Sequence, residues 1–260
     1  MNDKMTNNNG KTFNIHPAYL AVWAAVVASG YLVPTFPIWG TGGYFSLANV
    51  FSPLAGVFFG PLPGALCSAI GGFIGSLIAP HTAWIGPFTF IIGATTAFTT
   101  GCISWGNWPP VKINKTGNFI INGGIIVYLI GNILWFTQKV EEQIFIWIPV
   151  IFYGLGFAAL IIGTLFTGKM FFSPKKLLRF PAIWICSFGG LIGGAMIGNF
   201  FSLVIYNQPK IEWIRLTVVS PAERALFAFA AMLVGVPLLE GMNKIGIKVG
   251  PAKERESDGG

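Results

Sequence analysis

Two stretches gather the side chains able to hold a small molecule: residues 34–49, PTFPIWGTGGYFSLAN, and residues 80–89, PHTAWIGPFT. Between them they supply Trp39, Tyr44, Asn49, His81, Trp84 and Phe88. Aromatic rings with a few amides, hydroxyls and one imidazole suit a pocket for a small, flat or amphipathic solute. The bland alternative for Trp39, Tyr44 and Trp84 is an interfacial aromatic belt, where such rings sit for lipid reasons. Asn49 differs, because a buried amide without partners is costly; it is expected to bind or orient something. His81 is either a titrating ligand contact or an exposed loop histidine. Asn199 is a further pocket candidate, as is Asn207. Asn118, Asn122 and Asn132 fall close to one helical face, since four and fourteen residues are near whole turns, and are expected to hydrogen-bond neighbouring helices.

Catalytic groupings are missing. The two aspartates, Asp3 and Asp258, stand in the tails, and of the seven glutamates only Glu240 is placed within a span, near its inner end. Proton-driven carriers usually hold carboxylates inside the membrane, so proton coupling is not expected, and intramembrane aspartyl proteolysis lacks its aspartates. Neither HExxH nor GxSxG occurs. Gly10-Lys11-Thr12 imitates the end of a phosphate-binding loop, but Met5 stands where the first glycine is required. Cys67, Cys102 and Cys186 lie in apolar segments without metal-ligand spacing, and act as small apolar packing residues. The expectation is a protein that is not an enzyme and uses no cofactor or metal. A membrane enzyme would need polar groups deep in the spans, and only the asparagines at 118–132 suggest such a set.

The elements that must position these residues are set by composition. Of 260 residues 53% are hydrophobic and 10% charged, against roughly 25% charged in soluble domains. Too few charges remain to cover a water-soluble surface. The net charge of +7 does not signal nucleic-acid binding, because the sixteen Lys and Arg are scattered through connections rather than clustered. Eight apolar segments can be marked, at about 17–34, 45–60, 62–80, 84–106, 117–137, 144–168, 181–206 and 222–246. The fold class expected is all-α, a polytopic membrane bundle embedded in the lipid bilayer. The sequence Gly60-Pro61-Leu62-Pro63-Gly64 predicts a tight helical hairpin, or a re-entrant pair, over 45–80.

Charge placement orients the bundle. With a cytoplasmic N-terminus, twelve Lys and Arg fall inside; Lys139, Lys210, Arg215 and Arg224 are the four assigned to outer connections. An odd span count would give 8 against 8, so an even count with both termini cytoplasmic, in a multi-pass cell-membrane protein, is expected. The two aromatic stretches then face outward. Residues 1–16 form a polar tail without signal-peptide character, residues 17–249 one membrane domain, and residues 250–260 a disordered tail. Small residues at intervals of four (Gly56 to Ser76, and Gly190, Gly194, Gly198 and Ser202) predict close helix contacts.

Residues 34–100 carry a resemblance. The run GGYFSLANVFSPLAGVFFGPLPGALCSAIGGFIGSL followed by GPFTFIIGATTAFTTG resembles the S components of energy-coupling factor (ECF) transporters, most of all the riboflavin-type group. The resemblance implies a membrane receptor that captures a vitamin-like micronutrient from outside and docks on a transmembrane coupling subunit driven by two ATPase subunits. It implies that the first helix meets the coupling subunit through an Ala-xxx-Ala face, for which Ala21 and Ala25 fit, with Ala24 and Ala28 as an overlapping alternative. S components typically have six spans; eight here imply an inserted helix pair, roughly residues 110–170. Many relatives carry an acid near position 49, where this chain has Asn49. The competing reading is an S-component-like scaffold or assembly protein without transport activity.

Overall fold

The structure is a computed structural model that describes residues 16–38, 43–106, 122–137, 148–206, 210–247 and 249–251. Eight α-helices are described: α1 (Pro17–Tyr31), α2 (Ala48–Phe59), α3 (Pro61–Ile78), α4 (Thr89–Trp105), α5 (Gly123–Phe136), α6 (Gly154–Phe171), α7 (Arg179–Tyr206) and α8 (Lys210–Lys244). One falls on each expected apolar segment. Five of them, α3, α4, α6, α7 and α8, are long and apolar enough to cross a membrane, while α1, α2 and α5 are shorter apolar helices. The chain is an all-α polytopic membrane bundle.

The helices start and stop for local reasons. Pro17 opens α1, where its missing N–H costs nothing, and the His16 Nδ1 accepts from the Ala18 N–H at 3.3 Å. Gly60 alone joins α2 to α3, with φ +86°, a left-handed backbone that favours glycine; Pro61 then begins α3. The expected hairpin is therefore present with a one-residue turn. At twelve residues α2 spans about 18 Å, short of a hydrocarbon core of about 30 Å. Ten of its residues are buried, because α1, α3, α4, α7 and α8 all pack around it.

Close approach depends on the small-residue stripes. A methyl on Gly56 would collide with the Ala97 carbonyl of α4, and one on Gly64 with the Ala55 carbonyl of α2. In α7, Gly190 faces Thr100 and Gly194 faces Thr96, while a Cβ at Gly198 would meet the Ile92 side chain at 2.9 Å. Both stripes pack helices of this chain. In lipid, such van der Waals contact replaces hydrophobic association as the driving force.

One end of the bundle is closed by contacts between distant segments. Trp23 of α1 packs edge-on against Phe58 and Phe59, with ring centres 5.1 and 5.9 Å away. Gly250 donates its N–H to the Phe58 carbonyl at 2.9 Å, and Glu240 near the end of α8 pairs with Arg179 at 3.1 Å and Lys176 at 3.7 Å. The start of α1 and the end of α8 thus lie toward the same end.

Two expectations are corrected. The last helix begins at Lys210 rather than near 222. Pro221 does not bound it, since proline is tolerated in membrane helices whose neighbours satisfy the freed backbone. Gly250 and Pro251, expected to begin a disordered tail, are buried against the bundle; residues 1–15 and 252–260 lie outside the described residues.

Candidate functional site

At the opposite end, the chain between α1 and α2 forms an antiparallel hairpin, β1 (Pro34–Pro37) with β2 (Tyr44–Ser46), pairing Pro34 with Ser46 and Pro37 with Tyr44. Thr35 Oγ1 donates to the Phe45 carbonyl at 2.9 Å, across the pair. Leu47 N–H returns to the Val33 carbonyl at 3.0 Å, so the hairpin is tied back to the end of α1. Phe36 and Phe45 both set their edges against Phe227 of α8, at 5.6 and 6.0 Å. The connection between α3 and α4 is fixed in turn: Thr82 Oγ1 donates to the Tyr31 carbonyl at 2.9 Å.

Beneath these two connections lies a cavity of about 40 Å³. The hairpin and the N-terminal turn of α2 supply Tyr44, Phe45, Ser46 and Asn49; the α3–α4 connection and α4 supply Trp84, Thr89 and Thr96; α7 supplies Gly198 and Asn199; α8 supplies Arg224. Most of the polar groups are committed to shaping the walls. Asn49 Nδ2 donates to the Ser46 carbonyl at 3.0 Å, holding β2 to α2. Asn199 Nδ2 donates to the Tyr153 hydroxyl at 3.2 Å. Trp84 is stacked on Tyr206, with ring centres 6.5 Å apart and planes 19° from parallel, and the Tyr206 hydroxyl donates to the Trp84 carbonyl.

Four of the residues singled out from sequence, Tyr44, Asn49, Trp84 and Asn199, converge on this one cavity although they span 155 positions. His81 and Phe88 do not line it; both are exposed, Phe88 by 56%. Trp39, Asn118 and Asn207 lie outside the described residues. Asn122 serves the fold: its Nδ2 donates to the Cys102 carbonyl at 3.1 Å and to Thr164 Oγ1 at 3.2 Å, while its Oδ1 accepts from the Gly124 N–H at 2.8 Å. Asn132 Nδ2 donates to the Tyr128 carbonyl of its own helix at 2.8 Å. Neither asparagine touches the cavity.

Sequence reasoning missed the charged pair in α8. Glu223 and Arg224 were expected outside the spans; they lie in the body of the helix, 8% and 7% exposed. The available signal was their place within the apolar segment 222–246, where an ionisable residue is a functional candidate by default. Among the described residues, no three His, Cys, Asp or Glu side chains gather as a metal site.

A bundle of apolar helices with an aromatic, amide-lined cavity under an irregular hairpin defines a polytopic membrane protein. The family model described as ECF-type riboflavin transporter, S component, matches residues 15–145, half of the chain, and the chain belongs to that family of substrate-binding subunits. The match takes in α1 to α5, both cavity connections and Asn49, while α7 and α8 follow it. No curated protein and no solved structure is significantly similar to the chain.

Proposed function

We propose that the chain is the substrate-capturing subunit of an ECF-type importer, and that the cavity under the β1–β2 hairpin receives a vitamin-like micronutrient from outside the cell. The carrying observation is the convergence of Tyr44, Asn49, Trp84 and Asn199 on one cavity in a chain of this family. With Arg224 withdrawn into the body of α8, the distribution of basic residues is 12 to 3, which favours both termini in the cytoplasm and turns the hairpin end outward. Riboflavin, from the family's name, is the first ligand to try.

At about 40 Å³ the cavity has room for little more than a water or two, so a vitamin enters only as the hairpin lifts or the walls part. The energy for import comes from two ATPase subunits through a transmembrane coupling subunit. Ala21 and Ala25 remain exposed on α1, whereas Ala24 and Ala28 are buried and Ala24 is packed by Gly71. This favours the Ala21/Ala25 face as the docking surface, by the family's Ala-xxx-Ala pattern. The helices α5 and α6, in the stretch 110–170 expected as an insertion, pack on α4 and α7 and contribute nothing to the cavity lining, although the family match runs on through α5.

The test is titration of purified protein, in lipid nanodiscs, against a vitamin panel with intrinsic Trp fluorescence as readout. Saturable quenching by one member is expected. Silence across the panel, with no co-purification of coupling and ATPase subunits, would overturn the proposal.

A further inference from the structure

Arg224 is the one charged side chain in the cavity wall among the described residues. It is 7% exposed, and its Nη1 has no hydrogen-bond partner there. Its guanidinium carbon stands 4.4 Å from the centre of the Phe45 ring, so the hairpin supplies a π-face to the cation but no lone pair to its N–H groups. The ion pairs of the described residues join Glu240 to Lys176 and Arg179, and none involves Arg224. Glu223 precedes it in the helix and interacts with it electrostatically, but no ion pair joins the two and Glu223 is not in the lining.

A cation kept in the cavity wall of a bundle read as membrane-spanning, with its Nη1 buried and unpartnered, is expensive unless something meets it. The guanidinium fork matches a carboxylate or phosphate in two parallel hydrogen bonds. The other polar groups of the wall, among them Asn49, Thr89, Thr96 and Asn199, are neutral, and Tyr44 and Trp84 offer flat apolar contact. We infer that the cavity is selective for a micronutrient bearing an anionic group, carboxylate or phosphate, and that Arg224 is the residue that reads the charge. This rests on the cavity being the substrate site. Arg224 lies beyond the family-matched residues 15–145, in a part of the wall on which the family's name is silent.

Two ligand pairs that differ only in the anionic group decide it: riboflavin against riboflavin 5′-phosphate, and nicotinamide against nicotinate. With the full-length protein in nanodiscs, the anionic member of one pair is expected to bind at least about 10-fold tighter than its neutral partner, the scale of a charge-assisted contact. The pair that shows the gap identifies phosphate or carboxylate. Arg224→Met is expected to remove the gap between the members of the pair, and Arg224→Lys to restore part of it, since lysine keeps the charge and loses the fork. Should Arg224→Met fail to yield folded protein, the wild-type comparison within each pair still decides. Neutral members binding as tightly as anionic ones in both pairs, or a gap that survives Arg224→Met, would overturn the inference and leave the importer reading standing. No binding by any of the four or by the wider panel would remove both.

Discussion

At the scale of single residues, cavity and core asparagines separate by what their amides already hold. Asn49 makes one described hydrogen bond, to Ser46, and faces the cavity, so Asn49→Ala is expected to weaken ligand binding by about 10-fold with little change in thermal stability, read by titration and melting on the same sample. Asn122 is buried with its amide engaged three times. Asn122→Leu is expected to cost about 1–3 kcal/mol of stability while leaving the Kd of the folded fraction unchanged; an altered Kd would point to a role in the site instead. Asn49 and Trp84 were legible because polar and aromatic residues stand out in a chain only 10% charged. Arg224 was not, because the charge count assigned it to an outer connection although it stands within the apolar segment 222–246. His81 and Phe88 belong to the right connection, but sequence order says nothing about which side chains of a short 3₁₀ turn point inward.

Among the elements, the hairpin is the piece whose behaviour sets exchange. Phe36 and Phe45 grip Phe227 from two strands, so Phe227→Ala is expected to loosen the cover. Stopped-flow fluorescence should then show ligand release faster by about 10-fold, with association little slowed; unchanged release would show that another element gates the cavity. Helix α1 presents two alanine faces with opposite duties. Ala21→Trp or Ala25→Trp is expected to abolish co-purification with the coupling subunit and keep ligand binding. Ala24→Leu is expected to destabilise the fold by about 1–3 kcal/mol through overpacking against α3. Helix positions were readable from apolar run lengths. The strands were not, since Pro34 and Pro37 argue against pairing and the register between them is irregular.

Across the whole molecule, charge placement predicts that both termini lie on the cytoplasmic side, because basic residues are retained there. A single cysteine in place of exposed His81 is expected to react with a membrane-impermeant maleimide on intact cells, and one in place of Lys176 only after lysis; the reverse pattern would invert the bundle. Composition left depth open: residues 45–80 read as a tight hairpin or a re-entrant pair, and α2 is shorter than the membrane is thick and wrapped by its neighbours. That has a consequence for biosynthesis. A twelve-residue helix with Pro53 in its body is a poor candidate for entering the bilayer alone as it leaves the ribosome. It must be carried in as one unit with α3 through the Gly60 turn. Until α4, α7 and α8 are made, most of its surroundings do not yet exist, so the assembly of the solute cavity waits for the last helix translated.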